Sequence, residues 1–416
     1  MPMSHARTVR TSAVNRPSLL RGSAWLVMVA AAAPVAAQVS PWQAGVVQSF
    51  SRDSNVGRAA KGSDTVSDTV SGTGLRLGLD QTIGRQRLQG NLSLDANRYA
   101  RTKQLNNESY ELGSRLDWSS LERVAGVMTL GARQALYRAD NAVNLNSRTM
   151  LRSTYGGIQN QLGIVTDLSF DGGLSFSRDR YSTTALSTRD LNQWSANLGL
   201  RLRPASGLQL RAGLRHGEGR YVNATDRLKR DDLDLSAAME LSGLSSVNTR
   251  LSRTVERHSL AGVADNRGWT GGVAWDWKPT GQLKFNLGLT RDGSVAAAGF
   301  DNLVTTGAST DTRVQNRLHA RLDWDAAAAW KAYANLGVTS RTLDGSVVLG
   351  NQAAAARQSD RTVSTGLGLN YTPMRNLEFS CGLNREDRHA DPSTGAQLTY
   401  AYAVTVLSCS GAIYLR

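Results

Sequence analysis

Along residues 192–219 apolar and polar side chains change places at every step. Ala196, Leu198, Leu200 and Leu202 alternate with Asn197, Gly199, Arg201 and Arg203. After Ala205-Ser206-Gly207 the pattern resumes, with Leu208, Leu210, Ala212 and Leu214 set against Gln209, Arg211, Gly213 and Arg215. Successive side chains of a strand point to opposite faces. The stretch therefore predicts a β-hairpin with one leucine-alanine face and one arginine-rich face. In a soluble sandwich the leucines would pack on a second sheet. In a closed membrane barrel they would face lipid, and the arginines would line a lumen.

The rhythm recurs along the chain. It predicts strands near 42–52, 69–82, 86–99, 108–119, 125–139, 147–162, 165–181, 191–203, 208–222, 230–242, 246–260, 269–279, 283–297, 314–325, 330–343, 360–373, 377–389 and 398–415. That is an even count of about eighteen, which puts both ends of a barrel on one side. Short turns fall at 83–85, 120–124, 163–165, 204–207, 243–245, 280–282, 326–329 and 374–376. Longer polar loops lie between them, at 53–68, 140–146, 182–190, 223–229, 261–268, 298–313, 344–359 and 390–397. Short periplasmic turns alternating with longer extracellular loops favour the barrel, since a sandwich has no reason to alternate so regularly.

Punctuation at the strand ends agrees. Pro204, Pro279 and Pro373 sit just before Leu208, Leu283 and Leu377, where a residue without an N–H ends a ladder. Trp42, Trp118, Trp277, Trp324, Trp330 and Tyr371 cluster at the short-turn ends. Tyr99, Tyr110, Tyr137, Tyr181, Trp194, Tyr221 and Trp269 lie near the long-loop ends. Two aromatic girdles at the membrane interfaces are the expectation. The fold class predicted is all-β, a transmembrane antiparallel up-and-down barrel.

The N-terminal residues bear on compartment. Arg7, Arg10, Arg16 and Arg21 precede an apolar run, Ala24–Ala33, and small residues follow to Ala37. This is the form of a secretory signal peptide, too short to span a bilayer as a helix. Cleavage after Ala37 would divide the chain into a leader, 1–37, and a barrel, 38–416. Mean hydropathy is −0.33, as expected where half of each strand is polar. Net charge is +14, and removal of the four leader arginines leaves about +10. Such a balance suits an anionic partner or an anionic lipid surface, or is simply a solvated basic surface.

Three patches carry a resemblance. Ser49–Arg58 (SFSRDSNVGR) and Leu79–Tyr99 (LDQTIGRQRLQGNLSLDANRY) resemble stretches of the β-barrel porin 2 group, which includes the EpsL-type proteins of exopolysaccharide operons. Cys409–Arg416 (CSGAIYLR) is similar to the final strand of some members. The resemblance implies a Gram-negative outer-membrane barrel serving polysaccharide export, with outer-membrane lipid, a polysaccharide and a periplasmic polysaccharide-export protein as partners. It brings no catalytic residue, metal site or cofactor, and no nucleic acid partner is expected. The alternatives are a general or anion-preferring diffusion porin and a structural or surface-binding barrel.

Cys381 shares parity with Leu377, Phe379 and Leu383, and Cys409 with Leu407, Ile413 and Leu415. Both are predicted on the lipid face of neighbouring strands, in a disulfide suited to an oxidising periplasm. The scattered histidines, His216, His258, His319 and His389, lack a catalytic constellation, so no enzyme is expected.

Function should lie on the inward parity. The candidate pore-lining residues are Arg76, Arg87, Arg115, Arg133, Arg201, Arg203, Arg211, Arg215, Arg250, Lys284, Arg317 and Arg321, with Asp117, Asp232, Asp234 and Glu240. Asp80, Asp95, Glu111, Asp171, Asp276, Asp323 and Glu378 interleave with them. Charge rings can select ions in a wide pore. Cross-strand pairing of so many acids with so many arginines would instead satisfy the wall structurally. Tyr333, Tyr400 and Tyr402 are the inward aromatics expected.

Overall fold

The computed structural model describes residues 40–415 apart from 121–122, 138–147, 164–165, 224–225, 260–264, 294–309, 350–351 and 394–397. The expected leader lies outside the described residues. The described chain forms eighteen strands. The first six are β1 (Trp42–Asp53), β2 (Asp68–Ile83), β3 (Gln86–Tyr99), β4 (Asn107–Ser120), β5 (Val124–Leu136) and β6 (Met150–Leu162). Next come β7 (Leu168–Tyr181), β8 (Leu191–Ala205), β9 (Leu208–Tyr221), β10 (Arg227–Ser242), β11 (Ser245–His258) and β12 (Asn266–Trp277). The last are β13 (Leu283–Gly293), β14 (Thr310–Ala327), β15 (Trp330–Leu349), β16 (Gln352–Met374), β17 (Leu377–Ala390) and β18 (Tyr402–Leu415).

Each strand pairs antiparallel with its sequence neighbours, and β1 also pairs with β18, from Ala44↔Leu415 to Asp53↔Val406. That last ladder closes the sheet, so no edge is left with unpaired backbone groups. The short turns use glycine where the chain must reverse tightly. Gly84 and Gly207 have φ of +61° and +78°, a left-handed conformation that other residues adopt at a cost.

Closure sorts side chains by parity. Leu198, Leu214, Leu233, Leu251, Leu289 and Leu367 are among the most exposed apolar residues and all point outward. Leu198 is 73% exposed, a value a soluble sandwich core would not permit. At the short-turn end Trp42, Trp277, Trp324 and Trp330 are exposed on the same face. Trp330 and Tyr371 stack across β15 and β16 with ring centroids 4.2 Å apart. An apolar band ending in amphipathic rings is how a barrel meets a bilayer and its interface.

The long-loop end departs from the expected girdle. Trp194 and Trp269 are exposed on the outward parity there. Tyr99, Tyr137 and Tyr181 instead lie on the inward parity and are buried. Tyr137 and Tyr181 meet edge to face at 5.0 Å beside Leu151 and Leu186, and Tyr99 packs with Val56 and Leu105. Val56, Leu105 and Leu186 come from the connecting segments, so these loops fold inward onto the upper wall. The inner wall near this end therefore carries apolar patches beneath the loops.

Two expected boundaries also move. The segment 344–359, expected as a loop, largely continues the β15–β16 hairpin, with pairing from Gly345↔Ala356 to Leu349↔Gln352. Beyond the bilayer a ladder needs no apolar face, so period-two alternation stops being a guide to its length. Conversely 398–401 is not strand: the Leu398 and Thr399 N–H groups donate to Gln358 Oε1 at 2.7 and 2.8 Å instead.

The patches Ser49–Arg58, Leu79–Tyr99 and Cys409–Arg416 map onto β18, β1, β2 and β3, four consecutive positions around the closing seam. Cys381 and Cys409 are direct partners in the β17–β18 ladder and form a disulfide, with Cα atoms 4.1 Å apart. In the chain-entropy account, a bridge over this separation stabilises the fold by about 3–4 kcal/mol. Cys381→Ser/Cys409→Ser should thus lower the temperature at which the detergent-solubilised barrel loses its compact electrophoretic mobility. An unchanged transition would mean that the bridge adds nothing to the folded barrel.

Candidate functional site

All sixteen candidate pore-lining residues fall on the parity opposite the exposed leucines, as their strand partners show. They do not form open rings of one sign. Arg76 binds Asp95 at 2.6 Å, Arg87 binds Asp80 at 2.5 Å, and Arg115 binds Asp117 at 2.6 Å. Arg211 grips Asp171 at 2.7 Å, with Arg201 3.8 Å from the same carboxylate. Arg215 lies 2.9 Å from Asp232 and 3.7 Å from Asp234. Arg321 binds Asp323 at 2.7 Å, and Lys284 lies 3.7 Å from Asp325. Pairs of this kind satisfy the wall and cancel charge locally. Asp232 and Asp234 are moreover buried, so they are part of the wall rather than free lining.

Two inward arginines differ. Arg250 and Arg317 have no hydrogen bond or ion pair with another described residue, and both are exposed. Arg317 belongs to a recess of about 700 Å³ on the inner wall, built mainly from β14 to β18. Arg58, His319, Arg321, Tyr333, Arg388 and one acid, Glu386, also line it. The Tyr333 ring lies on the wall where Gly368, its partner on β16, leaves room. The Arg321 guanidinium sits 4.6 Å from that ring centroid, and Arg388 sits 4.7 Å from the Tyr402 ring. Stacking of this kind holds the two cations in place beside their carboxylates, Asp323 for Arg321 and Asp360 for Arg388.

Arg58 reaches the recess from the β1–β2 loop, with φ of +50°. Its guanidinium donates to Asp53 at 2.8 Å and to the Asn55 carbonyl at 2.6 Å. Asn55 in turn donates to the Ala403 carbonyl at 3.2 Å and accepts from the Ala59 N–H at 2.8 Å. The Asp53, Asn55 and Arg58 of the first sequence patch thus clamp the first loop onto the last strand. The clamp holds a left-handed residue that would otherwise be strained.

With a closed ladder, an apolar exterior and a charged, paired interior all present, the choice between sandwich and pore is made. The chain is a porin-like outer-membrane barrel. Eighteen strands are enough to leave an aqueous channel where loops do not fill it.

The recess contains residues that were not on the expected lining. Arg388 shares inward parity with Glu378 and could have been read from the sequence. Arg58 could not, because a loop residue carries no parity. Tyr155, 39% exposed, is a further inward aromatic, opposite Gly131 on β5. Its sequence signal is a tyrosine between polar residues facing a glycine.

Two histidines of this porin-like barrel are held by polar neighbours in the wall. His258 has both ring nitrogens near carboxylates, Nδ1 2.8 Å from Asp226 and Nε2 3.4 Å from Glu256. No ring nitrogen is left to activate a nucleophile. His319 Nε2 lies 2.8 Å from Asn286 Oδ1. Among the described residues no group of three or more His, Cys, Asp or Glu could hold a metal ion.

No family model matches the chain, and no curated protein matches it. Solved structures similar to it include the outer membrane protein OpdK of Pseudomonas aeruginosa, at 15% identity and TM-score 0.45, covering 90% of this chain and 99% of that one. OccAB3 of Acinetobacter baumannii is similar at 12% identity and TM-score 0.46, with coverage of 90% and 99%. The P. aeruginosa ferric enterobactin receptor PfeA is similar at 9% identity and TM-score 0.45, with coverage of 90% and 80%. The fold assigned here rests on the ladder of this chain itself.

Proposed function

We propose that this barrel is a passive diffusion channel preferring small organic anions. The observation that carries the reading is Arg317, exposed on the inner wall with no acid partner among the described residues, in a recess whose other arginines, Arg58, Arg321 and Arg388, stand beside carboxylates. Most other inward cations are neutralised by neighbours, so selectivity is concentrated at Arg317 and Arg250 rather than spread around rings. An anion would meet these cations as weak, solvated partners and move on, which is what conduction requires. Planar bilayers under a salt gradient test it. The wild-type zero-current potential should take the sign of anion preference, and Arg250→Gln/Arg317→Gln should cut the anion-to-cation permeability ratio several-fold with open-channel current retained. A cation-preferring wild type, or an indifferent variant, refutes the reading.

Polysaccharide export with a periplasmic partner is a second reading. It is supported by the three sequence patches, which share one seam of the barrel. Their best-defined motif works as a loop clamp, which a porin needs as much as an exporter, so the motif favours the export reading only weakly. Gene deletion separates the two: export demands loss of surface polysaccharide, whereas diffusion demands slower entry of small anions with surface polysaccharide intact.

A further inference from the structure

The lipid-facing wall is not uniformly convex. A groove of about 910 Å³ runs across its outer side from β8 to β14. Leu200, Leu210, Leu235, Leu251, Val273 and Leu289 form its sides, all on the outward parity. Between them the outward positions carry short side chains, Ala212, Ala237 and Thr249, and Gly271. The surface is therefore hollow where a row of leucines would have filled it. A hollow on a membrane wall is occupied by something apolar, since water there would be surrounded by hydrocarbon.

The head of the groove is basic. Trp269 stands at its long-loop end, outward and exposed. The Arg253 guanidinium lies over its ring at 5.7 Å. Arg291 donates from Nε to the Trp269 carbonyl at 3.3 Å and from Nη1 to Asn316 Oδ1 at 3.2 Å. Neither arginine has a carboxylate partner among the described residues. Three outward cations farther from the bilayer do: Lys229 with Glu218 at 3.3 Å, Arg257 with Asp231 at 3.6 Å, and Arg267 with Asp265 at 3.7 Å. Two guanidinium groups without a carboxylate partner among the described residues thus flank Trp269, where amphipathic rings mark the lipid–water boundary. Arg253 and Arg291 stand on β11 and β13, opposite Trp269 and Gly271 of β12, so two strand spacings and a two-residue offset put them about 12 Å apart at the backbone. Their side chains are long enough to close on one group between them. The long-loop end of such barrels faces outside, so the lipid in question belongs to the outer leaflet.

We propose that this groove is a specific lipid site, holding an acyl chain of an outer-leaflet lipid whose phosphate is bound between Arg253 and Arg291. Guanidinium groups match phosphate oxygens in paired, charge-assisted hydrogen bonds. A second copy of the chain could fill the groove, but the outward carboxylates described nearby, Glu218 and Asp231, are already held by Lys229 and Arg257. The lipid satisfies both halves of the site with one molecule. It anchors the barrel at a fixed depth and is independent of what passes through the pore.

Native mass spectrometry of the full mature chain in neutral detergent tests this, with dimyristoyl phosphatidic acid as probe. The wild type should retain the phosphatidic acid, and bind dimyristoylglycerol about tenfold more weakly for want of the phosphate. Inorganic phosphate alone should not displace it. Arg253→Gln/Arg291→Gln should weaken binding about tenfold, whereas Arg253→Lys/Arg291→Lys should keep most of it because charge is retained. Thr249→Trp fills the groove without touching the arginines and should also release the lipid. Heat-modifiable mobility of each variant checks that the barrel has formed. Binding that survives both the glutamine pair and Thr249→Trp overturns the site. Binding lost only in the glutamine pair overturns the acyl groove. A change of oligomeric state in Thr249→Trp with lipid retention intact assigns the groove to a second copy and overturns the proposal.

Discussion

Arg341→Ala should destabilise the barrel by about 3–5 kcal/mol, the cost of leaving a buried charge without its partner. Arg341 and Asp360 are both 3% exposed and paired across β15 and β16. Nε donates to Oδ1 at 2.8 Å and Nη2 to Oδ2 at 2.5 Å, while Thr399 Oγ1 donates to Oδ2 at 2.8 Å. Among the described residues Arg388, 4.0 Å from the same carboxylate, would remain as a cation beside it. Urea unfolding in detergent micelles should show the midpoint fall for Arg341→Ala. Arg341→Met/Asp360→Leu should recover most of the loss, because two apolar groups need neither partner nor solvation. A double variant as unstable as the single one would mean that the pair is needed for something beyond charge balance, such as anchoring 398–401.

Asp171→Asn should have the largest effect on conduction among changes to the acids of the wall. Asp171 accepts from Arg211 Nε at 3.0 and 2.9 Å through its two oxygens and lies 3.8 Å from Arg201. Removing its charge leaves two guanidinium groups on the inner face with no acid between them. Arg201 keeps a neutral partner, Gln161 Oε1 at 2.9 Å, so the wall should hold its shape. A fixed charge acts over about 8 Å at physiological ionic strength and farther in dilute salt. The anion-to-cation permeability ratio should therefore rise in Asp171→Asn, most clearly in low salt. Replacing Arg201, Arg203, Arg211 and Arg215 together by Gln is a less clean experiment. It would strand Asp171 without a cation and strip Arg215 from the buried Asp232 and Asp234, mixing lost selectivity with lost stability. A ratio unchanged in Asp171→Asn would mean that this part of the wall is not where permeating ions are sorted.

The two predictions divide the wall in the same way. Paired charges such as Arg341–Asp360 hold loops and strands together, and their loss is read in stability. Unpaired or releasable charges such as Arg317 and Arg201 set the field in the lumen, and their change is read in selectivity.

What the sequence determined by itself follows from period two. Leu198, Leu200 and Leu202 alternating with Asn197, Gly199, Arg201 and Arg203 already assign each side chain to a face. Repeated around an even number of hairpins, that rule specifies strand count, register and the outward disulfide of Cys381 and Cys409, because each depends only on neighbours in the ladder. Nearness to a loop end suggested one girdle of Tyr99, Tyr137, Tyr181, Trp194 and Trp269, whereas parity, had it been applied there, puts the three tyrosines inward and the two tryptophans outward. Tertiary structure decided what parity cannot address. Loop residues have no face, so Arg58 entering the recess and Val56, Leu105 and Leu186 covering the upper wall were invisible along the chain. Which acid neutralises which arginine depends on side-chain reach across strands, as when Arg211 crosses to Asp171 on β7. The groove beside Trp269 arises because short outward residues on four different strands come level with one another. That level is set by the stagger of a closed barrel, a property of the whole sheet and of no single strand.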